Sequence, residues 1–132
     1  MGARACGWRL FTEQLAVICS PIWCNLKDSI KDVEFIDSAG QYCEYLQAEG
    51  LVAGYRITRG KLGLGLTHLP GFHFRLDFED LTQVDAAFNH ISSRAGLVES
   101  FHRAVNSKVK DISCALYRYF PDSGRVRGQE KF

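Results

Sequence analysis

Two periodicities meet at Asp80, and their junction limits what this chain can become. Before it, Phe72, Phe74, Leu76 and Phe78 alternate with His73, Arg75 and Asp77. That two-residue repeat belongs to a half-buried strand. After it, Leu81, Val84, Phe88, Ile91, Ala95, Val98, His102, Val105 and Val109 recur at steps of three and four. Such spacing lays them along one stripe of a helix. The stripe is apolar except for His102. Asp80 offers cap chemistry at the junction. Gly96, close behind Ser92 and Ser93, predicts a break, because glycine inside a helix costs about 1 kcal/mol relative to alanine. Two helical segments are expected, near 81–94 and 97–108.

The same signals repeat upstream. After Pro21, Ile22–Lys27 reads as a strand. Asp28–Ser29 then cap a helix running to about Glu49, with Phe35, Ala39, Tyr42 and Leu46 as its stripe and Gly50 as a left-handed terminator. Leu51–Arg59 alternates again, Leu51, Ala53, Tyr55 and Ile57 against Val52, Gly54, Arg56 and Thr58. Gly60–Gly71 is a glycine-rich connection, and Ile112–Phe120 supplies a last strand ended by Pro121.

Strand, helix, strand, strand, helix, strand predicts an α+β fold of ferredoxin-like βαββαβ type. Its four-stranded antiparallel sheet carries the helices on one face. The other face would present Trp23, Asn25, Arg56, Thr58, His73, Arg75, Asp77, Tyr117 and Tyr119. That mixture is too aromatic for a solvated surface and too charged for a second core. Two such faces apposed across a two-fold axis predict a homodimer, a dimeric α/β barrel.

At 132 residues one domain is expected, over 22–121, with a loosely ordered extension at 1–21 and a mobile tail at 122–132. A net charge of +1 argues against a dedicated nucleic-acid binder. No apolar run approaches the ~20 residues that cross a bilayer, so no membrane association is expected. The five cysteines are odd in number and lack a Cys-x-x-Cys pair, which points to reduced thiols in the cytoplasm. The sheet would bring Cys24 near Cys114, leaving a disulfide there open.

His102 is the sharpest single residue. On a stripe between Val98 and Val105 its ring should point at the sheet, where a neutral imidazole can act as general base. Asn106, a turn later, would orient it or hold an oxyanion. The competing reading is a buried structural histidine. Arg56, Arg59 and Lys61 lead into the glycine-rich connection, with Arg75, His68 and His73 nearby. This cluster would suit a carboxylate or phosphate, unless it is spent on ion pairs with Asp77 and Glu79. His73 and Asp77 alone do not make a metal site.

Gly71-Phe72-His73-Phe74 leading into Phe78-Glu79-Asp80, followed by the broken helix, resembles the dimeric α/β-barrel superfamily. Stress-responsive A/B-barrel proteins, antibiotic-biosynthesis monooxygenases and a plant polyketide cyclase belong to it. The run from Arg56 to Gly65, Arg94-Ala95-Gly96-Leu97-Val98-Glu99, His102 and Val105-Asn106-Ser107 resemble an uncharacterised bacterial branch. The resemblance implies a catalytic histidine near His90, although Ile91 stands where the cyclases have proline and their second histidine has no counterpart.

Two functions follow. One is a cofactor-independent enzyme of monooxygenase, cyclase or isomerase type, acting on a small aromatic or polyketide-like compound. Its pocket would be walled by Phe35, Tyr42, Phe74, Phe88 and Phe101, with His102 as base and Tyr55 or Asn106 as polar partners. The other is a non-catalytic dimeric binding or stress-associated protein whose Arg56, Arg59, Lys61 and Arg75 capture an acidic metabolite.

Overall fold

The computed structural model describes residues 16–61, 63–65, 68–121 and 127–128. The proposed extension and tail therefore lie largely outside the described residues. In chain order the elements are β1 (Ile18–Leu26), α1 (Asp32–Ala48), β2 (Gly54–Arg59), β3 (Phe72–Phe78), α2 (Leu81–Ser92), α3 (Gly96–Asn106), β4 (Val109–Cys114) and β5 (Tyr117–Arg118). The sheet order is β2-β3-β1-β4, with β5 also paired to β1, and every pairing is antiparallel. This is the expected ferredoxin-like α+β fold, its helices on one face.

β1 begins at Ile18, not at Ile22, and Pro21 sits inside it. A proline in a central strand removes a ladder donor. Here the loss faces one spot only. Ala115 donates its N–H to the Pro21 carbonyl at 3.0 Å, and the return bond that Pro21 cannot make comes from Ser20, whose Oγ donates to the Ala115 carbonyl at 3.0 Å. The expected last strand is split at this point into β4 and β5, yet its register is unbroken: Ile22 faces Cys114 and Cys19 faces Tyr117.

α1 starts at Asp32 with Lys31 as an N-cap lacking a side-chain hydrogen bond, three residues beyond the expected Asp28–Ser29 cap. Its end follows the sequence. Gly50 adopts φ 72°, and Gly50 and Leu51 donate to the carbonyls of Gln47 and Leu46 at 3.0 and 2.9 Å, the paired bonds of a Schellman stop. The chain after it is not yet strand. Val52, assigned by alternation to the polar face, is instead buried at 2% exposure in the core.

Asp80 caps α2 by accepting from the Gln83 N–H at 2.8 Å. The long helical run breaks as expected: Arg94 and Gly96 adopt φ 50° and 60°, and α3 leaves in a new direction from an extended Ala95. Val109, read as the last stripe residue, already opens β4.

The core has two parts. Phe35, Ala39 and Cys43 of α1 pack with Cys24, Phe72 and Phe74 of the sheet. Leu46, Val52 and Phe78 pack with Val84 and Ala87 of α2. Removing the Ser20 hydroxyl by Ser20→Ala strips the half-buried Ala115 carbonyl of a donor, a loss of about 0.5–1.5 kcal/mol. Urea unfolding should show a lower midpoint with an unchanged slope.

Candidate functional site

A cavity of about 200 Å³ separates the sheet from the helices. Ile22, Cys24, Phe74 and Leu76 form its floor, Phe35, Tyr42, Cys43 and Leu46 its roof, and Ala87, Phe88, Ile91, His102, Val105 and Asn106 its side. Of its lining residues Phe88 and Ile112 are 52% and 54% exposed, and Asn106 and Cys114 are exposed as well. Four of the five expected wall aromatics line it. Phe101 does not; its ring packs on Tyr45 at 5.0 Å between centroids.

The wall is electrically quiet. Burial pushes the Cys24 thiol up to about 11, with Asp111 and Cys114 adding to the effect. Burial likewise pushes Cys43 up to about 12, so both thiols stay protonated near neutrality and behave as small apolar groups. The Tyr42 phenol is raised as well, chiefly by burial. Among the described residues His102 is the one histidine that lines this wall. Its ring meets Tyr42 edge-on, centroids 6.1 Å apart at 81°. Nδ1 lies 3.9 Å from Glu99 Oε1.

Asn106 lines the same cavity but, among the described residues, makes no hydrogen bond to His102. The polar neighbour is Glu99, a turn earlier. His90 is placed elsewhere: its Nε2 lies 2.9 Å from the Tyr45 hydroxyl, with the two rings stacked, and it does not reach the cavity wall. Tyr55 is also absent from the wall. Its hydroxyl donates to Glu44 at 2.7 Å, and that bond, more than burial, pushes the phenol up to about 12.

The basic cluster is divided by the sheet. Arg56 faces Arg75 across β2 and β3 on the helix-free side, whereas Arg59 faces Phe72 on the helix side. Arg59 pairs with Asp32 and lies over the Phe72 ring. Arg75 is neutralised by Asp77, with Nη2 donating at 3.2 Å. Lys61 joins Trp23, Thr58, His73 and the glycines of the connection around an open groove. His73 packs against Trp23, ring centroids 5.3 Å apart, and its imidazole is lowered from the ordinary 6.5, first by burial and then by Arg75. Arg59 lines the same groove as Lys61 and His73, whereas Arg56 and Arg75 are not among its lining residues.

Two functional-looking contacts escaped the sequence reading. Tyr119 donates to Asp77 at 2.9 Å across the helix-free face, joining residues 42 apart, and nothing local signals it. Glu99 beside His102 is a three-residue helical spacing and was legible in principle. Cys24 and Cys114 carry free thiols, offset diagonally because Cys24 faces Ile112 and Cys114 faces Ile22. Among the described residues no group of three or more His, Cys, Asp or Glu could hold a metal ion. No described helix is long and apolar enough to cross a membrane.

The matching family model, described as a family of unknown function (DUF6614), spans residues 19–132. The chain belongs to that family. Curated proteins give no match. Among solved structures, DUF6614 chain geometry is similar to a protein of Arabidopsis thaliana, with TM-score 0.64 and 10% identity over 80% of this chain and 98% of that one. It is similar to a dabb family protein with a ferredoxin-like fold from Mesorhizobium loti, with TM-score 0.56 and 13% identity over 79% and 97%. A dimeric protein of unknown function and ferredoxin-like fold from Bacteroides fragilis follows, with TM-score 0.54 and 11% identity over 78% and 96%. Identities this low speak for the fold alone.

Two measurements check the electrostatics. Iodoacetamide at about pH 8 should leave Cys24 and Cys43 unmodified in the native protein and alkylate both in denaturant, read by mass spectrometry. Because the folded state lowers His73, the unfolded chain binds its proton more readily. Stability therefore rises with pH between the lowered native value and 6.5, and His73→Asn should flatten that part of the curve.

Proposed function

We propose that the cavity between sheet and helices is the functional site of this family member and that it takes a small aromatic or polyketide-like compound. His102 acts there as proton acceptor, in a cofactor-independent reaction of monooxygenase, cyclase or isomerase type. One observation carries the reading: an apolar void whose wall, among the described residues, holds a single imidazole. A surface histidine would meet solvent alone, whereas this ring, its side chain 37% exposed, also lines the cavity edge-on to the half-buried Tyr42 phenol. The volume suits one or two fused rings, since apolar cavities of about 150 Å³ already admit benzene.

The working unit in this proposal is a homodimer. Tyr117 and Tyr119 are 59% and 39% exposed on the helix-free face, beside the Trp23–His73 pair, and the Bacteroides fragilis neighbour is described as dimeric. The free thiols fit a reducing cytoplasm. Sedimentation at micromolar concentration should give twice the chain mass, and Tyr117→Asp, which sets a charge into the apposed faces, should give the monomer.

Phenol and toluene differ by one hydroxyl and test the site directly. Both should bind saturably and shift the NMR signals of Val105 and Ile91, phenol more tightly by about fivefold, the worth of one hydrogen bond. His102→Ala should erase that preference while toluene still binds. A preference untouched in His102→Ala, or no saturable binding of either probe, would count against the proposal.

A further inference from the structure

Of the two ring nitrogens of His102, the structure engages one. Nδ1 faces Glu99 Oε1 at 3.9 Å, one helical turn back on α3. The other carboxylate oxygen of Glu99, Oε2, accepts from Arg103 Nη2 at 3.2 Å. Oε1 is buried and, among the described residues, has no hydrogen-bond partner. A buried carboxylate oxygen without a donor is costly. His102 Nδ1 is the cationic or N–H group that the structure sets beside it. A hydrogen bond between them needs about 2.8 Å, and both groups sit one turn apart on the same helix. Beyond the imidazole lies the cavity, and on its roof is the Tyr42 ring.

We propose that Glu99 is the positioning residue of this site: its Oε1 accepts the Nδ1–H of neutral His102 and so fixes Nε2 as the lone-pair nitrogen turned towards the cavity. The proposal rests on the reading of the cavity as the functional site and specifies how its base is oriented. A ligand O–H or acidic C–H gives its proton to Nε2, and the bonding electron pair stays on the ligand. The imidazolium that forms has its positive charge beside the Glu99 carboxylate. The anion left on the ligand accepts a hydrogen bond from Tyr42, whose phenol burial keeps protonated. No oxidant or cofactor enters the step. Arg103, on the far side of the carboxylate, keeps Oε2 occupied and leaves Oε1 for the ring.

A carboxylate that only complements the α3 dipole or pairs with Arg103 would not select an imidazole tautomer, so the tautomer is the test. Long-range ¹H–¹⁵N spectra of the full chain at about pH 9, above the ordinary histidine range, report which nitrogen holds the proton. The His102 signal is assigned by its loss in His102→Gln. Wild type should show Nδ1–H. Glu99→Ala should move the proton to Nε2, the form free imidazole prefers. Glu99→Gln, whose amide oxygen still accepts, should restore Nδ1–H. In Glu99→Ala the phenol-over-toluene preference should fall about threefold while toluene binding stays constant. A wild-type Nε2–H form, or a tautomer indifferent to Glu99→Ala, overturns the proposal and leaves the cavity reading standing. A wild-type protein in which phenol gains nothing over toluene sinks the cavity reading and this proposal with it.

Discussion

Between Ser92 and Gly96 φ turns positive twice, at Arg94 and at Gly96, and most of the architecture answers to that short kink. A continuous helix from Leu81 to Val109 would have laid one straight ridge along the sheet. The break divides the run into α2 and α3, which pack on different parts of the core. One half seals Phe78 and Leu46 with Val84 and Ala87. The other reaches the first core cluster only through Val105 at its edge. What neither half fills is the cavity.

That geometry also explains why the site's chemistry comes from α3. Val98 is 1% exposed and anchors the helix, which leaves His102 and Val105, the next residues of the same stripe, over the void. Opposite them Tyr42 hangs from α1, a helix held by the Schellman bonds at Gly50 and Leu51. Gln83 ties the start of α2 to this end of α1 by donating to the Gly50 carbonyl at 2.9 Å. The helix bearing the phenol is thus braced by hydrogen bonds outside the cavity, while the helix bearing the imidazole is anchored by the burial of Val98.

The fold was legible to a large degree because alternation and helical spacing are local statistics. β3, the α2 cap at Asp80, the break near Gly96 and the stop at Gly50 all rest on neighbours within four residues. The misreadings share a cause too. Val52, Pro21 and the divided last strand depend on strand partners far along the chain: Ser20 replacing a proline's missing donor is visible only once Ala115 lies beside it. The basic cluster was divided for a similar reason. Arg56 and Arg59 are three apart, and an odd separation on a strand sends side chains to opposite faces.

By itself, the sequence determined the order and type of the elements, the apolar face of the sheet and the placing of a histidine on an apolar stripe, since each follows from periodicity within a few residues. Only the tertiary structure decided that the stripe borders a void, that Tyr42 is a neighbour of His102, and that His90 and Tyr55 are engaged elsewhere. Those outcomes depend on distances between elements far apart in the chain, and no local pattern encodes how completely two packed surfaces fill the space between them.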